Sequence, residues 1–164
     1  MSKIGGVVVA GVLAVGGIGA YEKWGKGGED NTVRDQTGVI VEKGDLGVFV
    51  LSIGDCFNSA TGPISTTEGV PCSSSHDSEY VAEYELVLDV FPGTDSLTRE
   101  ANEKCLPLVA DYIGDTDKVV AKYPNLSWSG ITPTAESFAA GDRTVGCFIG
   151  LDDGSRLTES LRNF

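Results

Sequence analysis

Residues 80–113, YVAEYELVLDVFPGTDSLTREANEKCLPLVADYI, decide the fold. Tyr80 to Val90 alternates apolar and polar side chains well enough for a half-buried strand, and Phe91-Pro92-Gly93 ends it. From Ser96 to Ile113 the period changes. Leu97, Ala101, Cys105, Val109 and Tyr112 recur at helical spacing, Ser96 is placed to cap the start, and Gly114 suits the end. Pro107 must kink or divide this helix, because proline has no N–H and its ring crowds the preceding turn.

Working outward, Val39-Ile40-Val41 and Val48-Phe49-Val50-Leu51 read as two early strands separated by the turn signal Lys43-Gly44-Asp45. Asn58 to Gly69 (NSATGPISTTEG) is a loop by composition. Downstream, Thr132-Pro133 followed by Thr134 to Ala140 and Gly141 has the cap, early proline and terminal glycine of a short second helix. Arg143 to Leu151 (RTVGCFIGL) is a last strand, and Asp152-Asp153-Gly154 is a tight turn. Strands first, helices in the middle and a strand returning late is an α+β order. A chain of 164 residues has room for one such domain with its own core.

Ile4 to Ala20 (IGGVVVAGVLAVGGIGA) is a run of 17 residues without a charged side chain, at the short end of what spans a bilayer as a helix. Tyr21 and Trp24 follow where amphipathic rings settle among headgroups. A cleaved signal peptide would also show a basic start and an apolar stretch, but Ile18-Gly19-Ala20 places a bulky residue three before the cut, so a retained anchor is expected. No cysteine follows the run, which excludes a lipoprotein anchor. Gly6, Ala10, Ala14 and Gly17 line one helix face and would let another membrane helix approach closely. The expected organisation is an anchor over 1–24, a flexible linker over the polar, glycine-containing 25–36, and a folded domain over 37–164. Lys3 on the short side puts the N-terminus in the cytoplasm and the domain outside it.

Cys56, Cys72, Cys105 and Cys147 contain no CxxC pair, which argues against a zinc knuckle or a thioredoxin-type site. An even count outside the cytoplasm reads as two disulfides. Of the three connectivities, Cys56–Cys72 with Cys105–Cys147 is favoured: the first pair flanks one hairpin-like excursion, and the second ties the helix to the late strand. Beyond residue 27 the chain carries 9 positive and 23 negative charges, net −14. Such a surface repels phosphate backbones and anionic headgroups, so nucleic acid is a poor partner and a charge-driven partner should be basic or bring divalent cations.

Several pieces taken in order resemble one family. Gly54-Asp55-Cys56-Phe57, then Val70-Pro71-Cys72 with His76 and Glu79 in a C-x3-H-x2-E, then Cys105, then Pro133 to Ala140 running into Gly141-Asp142-Arg143 and Cys147, resemble the septum formation domain of actinobacterial membrane proteins. Leu157-Thr158-Glu159-Ser160-Leu161 is similar to that family's tail. Phe138 stands where the family has tryptophan, and Ser75 where proline is frequent. The resemblance implies a role linked to cell division and carries over no biochemical activity.

The single histidine, His76, has Asp77 and Glu79 beside it and Cys72 four residues earlier. A metal site or a Cys-His nucleophile pair would both require Cys72 to be reduced, so the expectation is a histidine that hydrogen-bonds its loop and steadies the bridge. Asp55 and Asp142 each follow a glycine and should accept backbone N–H bonds in turns. Arg143, one of few cations, should form a salt bridge with Asp55, Glu79 or Asp142. No GxSxG, P-loop, HExxH or dinucleotide fingerprint is present, and neither an enzyme nor a cofactor is expected. The expected function is an anchored extracytoplasmic interaction module of an envelope assembly. Its partners would be other membrane proteins reached through the helix face, the lipid bilayer, and basic protein surfaces. The alternatives are an accessory subunit of a respiratory supercomplex or other integral complex, and, from another class, an envelope hydrolase or redox protein using His76 and Cys72.

Overall fold

The computed structural model describes residues 29–59 and 66–164. The anchor run 4–20, with Gly6, Ala10, Ala14 and Gly17, lies outside the described residues. Among the described residues no helix is long and apolar enough to cross a membrane.

The domain is α+β. Its elements are β1 (Val33–Arg34), β2 (Ile40–Glu42), β3 (Gly44–Gly47), a 3-10 turn (Val48–Val50), β4 (Cys56–Asn58), β5 (Thr66–Val70), β6 (Ser78–Glu85), α1 (Thr94–Ile113), α2 (Thr116–Lys122), β7 (Leu126–Ile131), α3 (Ala135–Ala139) and β8 (Thr144–Leu151). Six strands form one antiparallel sheet in the order β3-β5-β4-β6-β8-β7, and β1 and β2 form a separate two-stranded ladder.

One face of the sheet is covered by α1. Its buried residues are Leu97, Ala101, Cys105, Val109 and Ile113, one every four positions, so they form a single stripe. Burying the Leu97, Val109 and Ile113 side chains is worth about 1.5–3 kcal/mol each. Tyr112, expected in that stripe, is only half-buried, and Ile113 takes its place. Pro107 neither divides the helix nor enters its packed face. It is exposed, so the carbonyl it leaves without an N–H partner is on the wet side. Ser96 is not the cap either: the helix starts at Thr94 after Gly93, with no side-chain cap.

The sheet's edges and connections differ further from expectation. Val48–Val50 is a 3-10 turn rather than a strand, and the β3 ladder comes from Gly44–Gly47, through the expected turn. Residues 66–69, placed in a loop by their composition, fall in strand β5, which is bonded on both sides by β3 and β4. Strand β6 stops at Glu85, five residues short, because Leu86 turns inward under an N–H bond to the Arg143 carbonyl. Helix α2 and strand β7 were not anticipated. Helix α3 is capped by Thr134, whose hydroxyl accepts from the Ser137 N–H in a reciprocal capping box, so Pro133 lies before the cap.

The expected linker is also partly structured. Residues 29–31 bond to β3, Asn31 N–H to the Asp45 carbonyl and Gly47 N–H to the Glu29 carbonyl, and Val33–Arg34 pairs with β2. The hairpin they form lies over Gly69, where an added Cβ would meet Thr32 Cγ2 at 2.8 Å and Leu46 Cδ2 at 2.9 Å. The ordered domain therefore begins by residue 29.

Candidate functional site

The motif residues gather around two brackets of similar build. In each, a glycine with φ near +100°, Gly54 at 102° and Gly141 at 101°, precedes a buried aspartate. That conformation is strained for any side chain with a Cβ, which accounts for glycine at both positions.

At the first bracket, Asp55 accepts from the Ser52 N–H at 2.8 Å and takes a two-point grip from Arg34, with Nη1 at 2.6 Å and Nη2 at 2.8 Å. Arg34 also donates to Asp30 and to the Gly38 carbonyl. The Asp55 carboxylate, ahead of the opposing effect of burial, pushes the Arg34 guanidinium further above its ordinary value. Next in chain, Cys56 is fully buried and bridges to Cys72 with a Cα–Cα distance of 5.2 Å. The second bridge joins Cys105 of α1 to Cys147 of β8 at 5.5 Å, so all four cysteines are paired with the favoured connectivity.

His76 is fully buried. Its Nδ1–H donates to the Ser74 carbonyl at 2.8 Å, which shapes the loop after Cys72, and its backbone pairs with Leu157. The ring's Nε2 has no partner among the described residues. Glu79, also fully buried, accepts from three donors: Tyr112 Oη and Ser160 Oγ at 2.5 Å, and the Leu161 N–H at 2.8 Å. Burial and then the facing Glu79 carboxylate raise the Tyr112 hydroxyl above its ordinary value, so it remains a donor. His76 and Glu79 thus pin the C-terminal segment, whose Leu157 and Leu161 are buried in the core under α1. The ligand atoms of Cys56, Cys72 and Glu79 lie within 4.8 Å of one another. A disulfide offers no thiolate, and this carboxylate already holds three donors, so the trio is no ligand set in the oxidised state.

At the second bracket, Asp142 accepts from the Thr144 N–H and from Ser137 Oγ, both at 3.0 Å. Arg143 makes no ion pair among the described residues. Its Nη1 donates to the Phe138 and Asp142 carbonyls and its Nε to the Leu88 carbonyl, while the guanidinium lies 3.4 Å from the Phe138 ring centroid. The salt bridge expected of Arg143 is made instead by Arg34 to Asp55, because the hairpin brings Arg34 to the first bracket. The GDR guanidinium faces three carbonyls and a ring. Phe138, where tryptophan was expected, is buried under Arg143 and meets Phe91 edge to face at 5.6 Å.

The structure does not bring the two brackets into one cleft. An open groove of about 310 Å³ runs beside the first, lined by Val41, Glu42, Lys43, Asn58 and Glu68 with Pro71, Ser74 and Ser75 of the disulfide loop. Two of its three charged groups pair with each other, Lys43 with Glu68, and the Asn58 amide also donates to Glu68. Arg34, Tyr112, Ser137 and Ser160 were missed in the sequence. Ser137 and Ser160 lay inside runs already singled out, Pro133 to Ala140 and the tail, Tyr112 was read only as part of the helical stripe, and Arg34 carried no signal.

A family model described as septum formation matches residues 27–149. The match takes in both brackets and all four cysteines, and the tail that Glu79 holds lies beyond it. No curated protein and no solved structure matches the chain.

Proposed function

We propose that this chain, which belongs to the septum formation family, serves the division septum as a docking module without enzymatic activity, held to the outer face of the cell membrane by its N-terminal run. The observation that carries the reading is the fate of the motif residues. Asp55, His76, Glu79, Asp142 and Arg143 each bind the domain's own backbone or side chains, and they sit at separate brackets instead of converging on a substrate-sized cleft. A signature built this way preserves a frame, and a frame on a membrane anchor presents a surface. The net charge of −14 beyond residue 27 and the two disulfides favour an exported domain whose partners are basic proteins.

The test is localisation of the full-length chain carrying a fluorescent tag in dividing cells, beside an anchor-only version ending at residue 28. Enrichment of the full chain at septa, with even envelope labelling by the anchor alone, is the expected result. Even labelling by both, together with normal septation when the protein is depleted, would remove the septum from the reading.

A further inference from the structure

The loop between β6 and α1 is built in an unusual way for a connection. Val87 is 96% exposed, Val90 77% and Leu88 37%. A single exposed valine needs no explanation, but three apolar side chains in four consecutive positions form a patch that a soluble surface ordinarily avoids. The backbone beneath them is held at both ends and in the middle. Leu86 N–H donates to the Arg143 carbonyl at 2.7 Å, Arg143 Nε donates to the Leu88 carbonyl at 3.1 Å, and Phe91 packs on buried Phe138. The GDR arginine therefore holds a stiff turn with its apolar side chains pointed at solvent.

We propose that Val87–Val90 is the domain's docking prong, and that its occupant is an apolar pocket with a basic rim on a partner protein. The proposal rests on the docking-module reading and adds the surface and the partner's chemistry. Fixing the loop beforehand lowers the ordering cost of binding, which is how a few side chains can act as an anchor. The charge around the prong sets the rim. Asp89 lies within it, and exposed Glu83, Glu85 and Asp95 flank it in sequence. The Arg143 guanidinium beneath Leu88 is taken up by three carbonyls and the Phe138 ring, and no Lys, Arg, Trp or Tyr occurs between residues 85 and 95, so the loop itself carries none of the groups that hold a segment at an anionic bilayer surface. A second copy of the chain would bring like charge to the contact.

The test uses the full chain in phosphatidylcholine nanodiscs as bait for a phage-displayed random peptide library, with empty nanodiscs subtracted. Enriched peptides should combine large apolar residues with Lys or Arg. Their affinity, measured by fluorescence anisotropy, should fall about tenfold or more in a Val87→Ser/Val90→Ser variant and weaken with added salt. That variant should keep the wild-type unfolding midpoint, because the two side chains contact little. Peptides that bind the variant as tightly as wild type would overturn the prong and leave the docking module. A library yielding no binder at all would overturn both. Quenching of a bimane dye on Val90→Cys by brominated lipid would place the loop in the bilayer and overturn the protein pocket, and concentration-dependent dimers lost in the serine variant would assign the prong to a second copy and overturn it too.

Discussion

Replacing Arg34 by glutamine tests whether the segment before residue 37 is a tether or part of the fold. Asp55 is 4% exposed and the Arg34 side chain 20%. Removing one partner of a buried, hydrogen-bonded ion pair costs about 3–5 kcal/mol, because the remaining charge stays buried without its counterion. Asp55 keeps the Ser52 N–H at 2.8 Å, and Arg34 is a fifth exposed, so the lower end applies, about 3 kcal/mol. With an ordinary urea dependence of about 1.5–2 kcal/mol per molar, the midpoint should fall by roughly 1.5–2 M. The loss should also have an address. Without Arg34 the β1–β2 hairpin keeps its short ladder and its packing over Gly69, but loses its grip on the first bracket. Amide exchange of residues 30–42 should accelerate by about a hundredfold or more at neutral pH, while exchange in the core strands β6 and β8 should rise only in step with the loss of global stability. Asp55→Asn should be milder, and combining it with Arg34→Gln should show strong coupling in a double-mutant cycle. A loss below about 1 kcal/mol, or an unchanged exchange pattern over 30–42, would refute the argument that this ion pair joins the segment to the domain.

Three further outcomes follow from packing and charge. Replacing both Cys105 and Cys147 by alanine should destabilise more than replacing Cys56 and Cys72: closing 42 residues is worth about 4 kcal/mol in the chain-entropy model against about 3 kcal/mol for 16, and the longer bridge lies wholly in the core; urea midpoints of the two variants under non-reducing conditions check the order. Gly146→Ala should cost about 1–3 kcal/mol, since an added Cβ would collide with the buried Tyr80 ring, and the near-UV circular dichroism of that tyrosine should change with it. The domain should also lose stability in acid: burial opposes the Asp30 carboxylate, but bonds from Thr32 and Arg34 outweigh it, and bonds from Lys122 and Tyr123 act on Glu159, so both groups titrate below their ordinary values of 3.8 and 4.5. Depressed folded values give a contribution that is complete above those ordinary values and is lost as pH falls through the folded ones, so the urea midpoint should drop below about pH 4 and Glu159→Gln should flatten that drop.

What could be read in the sequence, and what could not, separates by range. The α1 stripe, the existence of helix α3 though not its cap, strand β8 and both disulfides were legible, because periodicity, turn chemistry and cysteine spacing are local or nearly so. Strand β5 was hidden by its threonines and glycine: Thr66-Thr67-Glu68-Gly69 has a loop's composition, yet two neighbouring strands supply its ladder, and Gly69 is needed so that Thr32, Leu46 and Ile40 can pack against the backbone. Strand β7, LSWSGI, was missed for a similar reason, since Gly130 is where the Ala101 methyl of α1 comes within 2.6 Å of an added Cβ. Arg34 was unreadable because its partner is 21 residues away and its own surroundings are polar. The expectation for Arg143 chose the right element but the wrong chemistry: it was weighed against acids, whereas its donors meet carbonyls.

That last error points to how the family signature works in this chain. Both glycine-aspartate steps turn the chain at positive φ and satisfy a buried carboxylate with nearby donors, and each sits beside a residue that reaches far along the sequence: Cys56 to Cys72 in one, Arg143 to Leu88 in the other. Changes at these brackets should therefore disturb stability and loop order together, whereas changes at Val87 or Val90 should alter binding alone. The separation can be measured with the same peptide probe. Arg143→Lys keeps the charge but loses the planar fork that reaches several carbonyls at once, so it should loosen the Leu88 turn and weaken peptide binding together with a measurable loss of stability. If Arg143→Lys left the exchange rates of residues 86–91 unchanged yet abolished binding, the arginine would be touching the partner itself, and its role as an internal brace would fall.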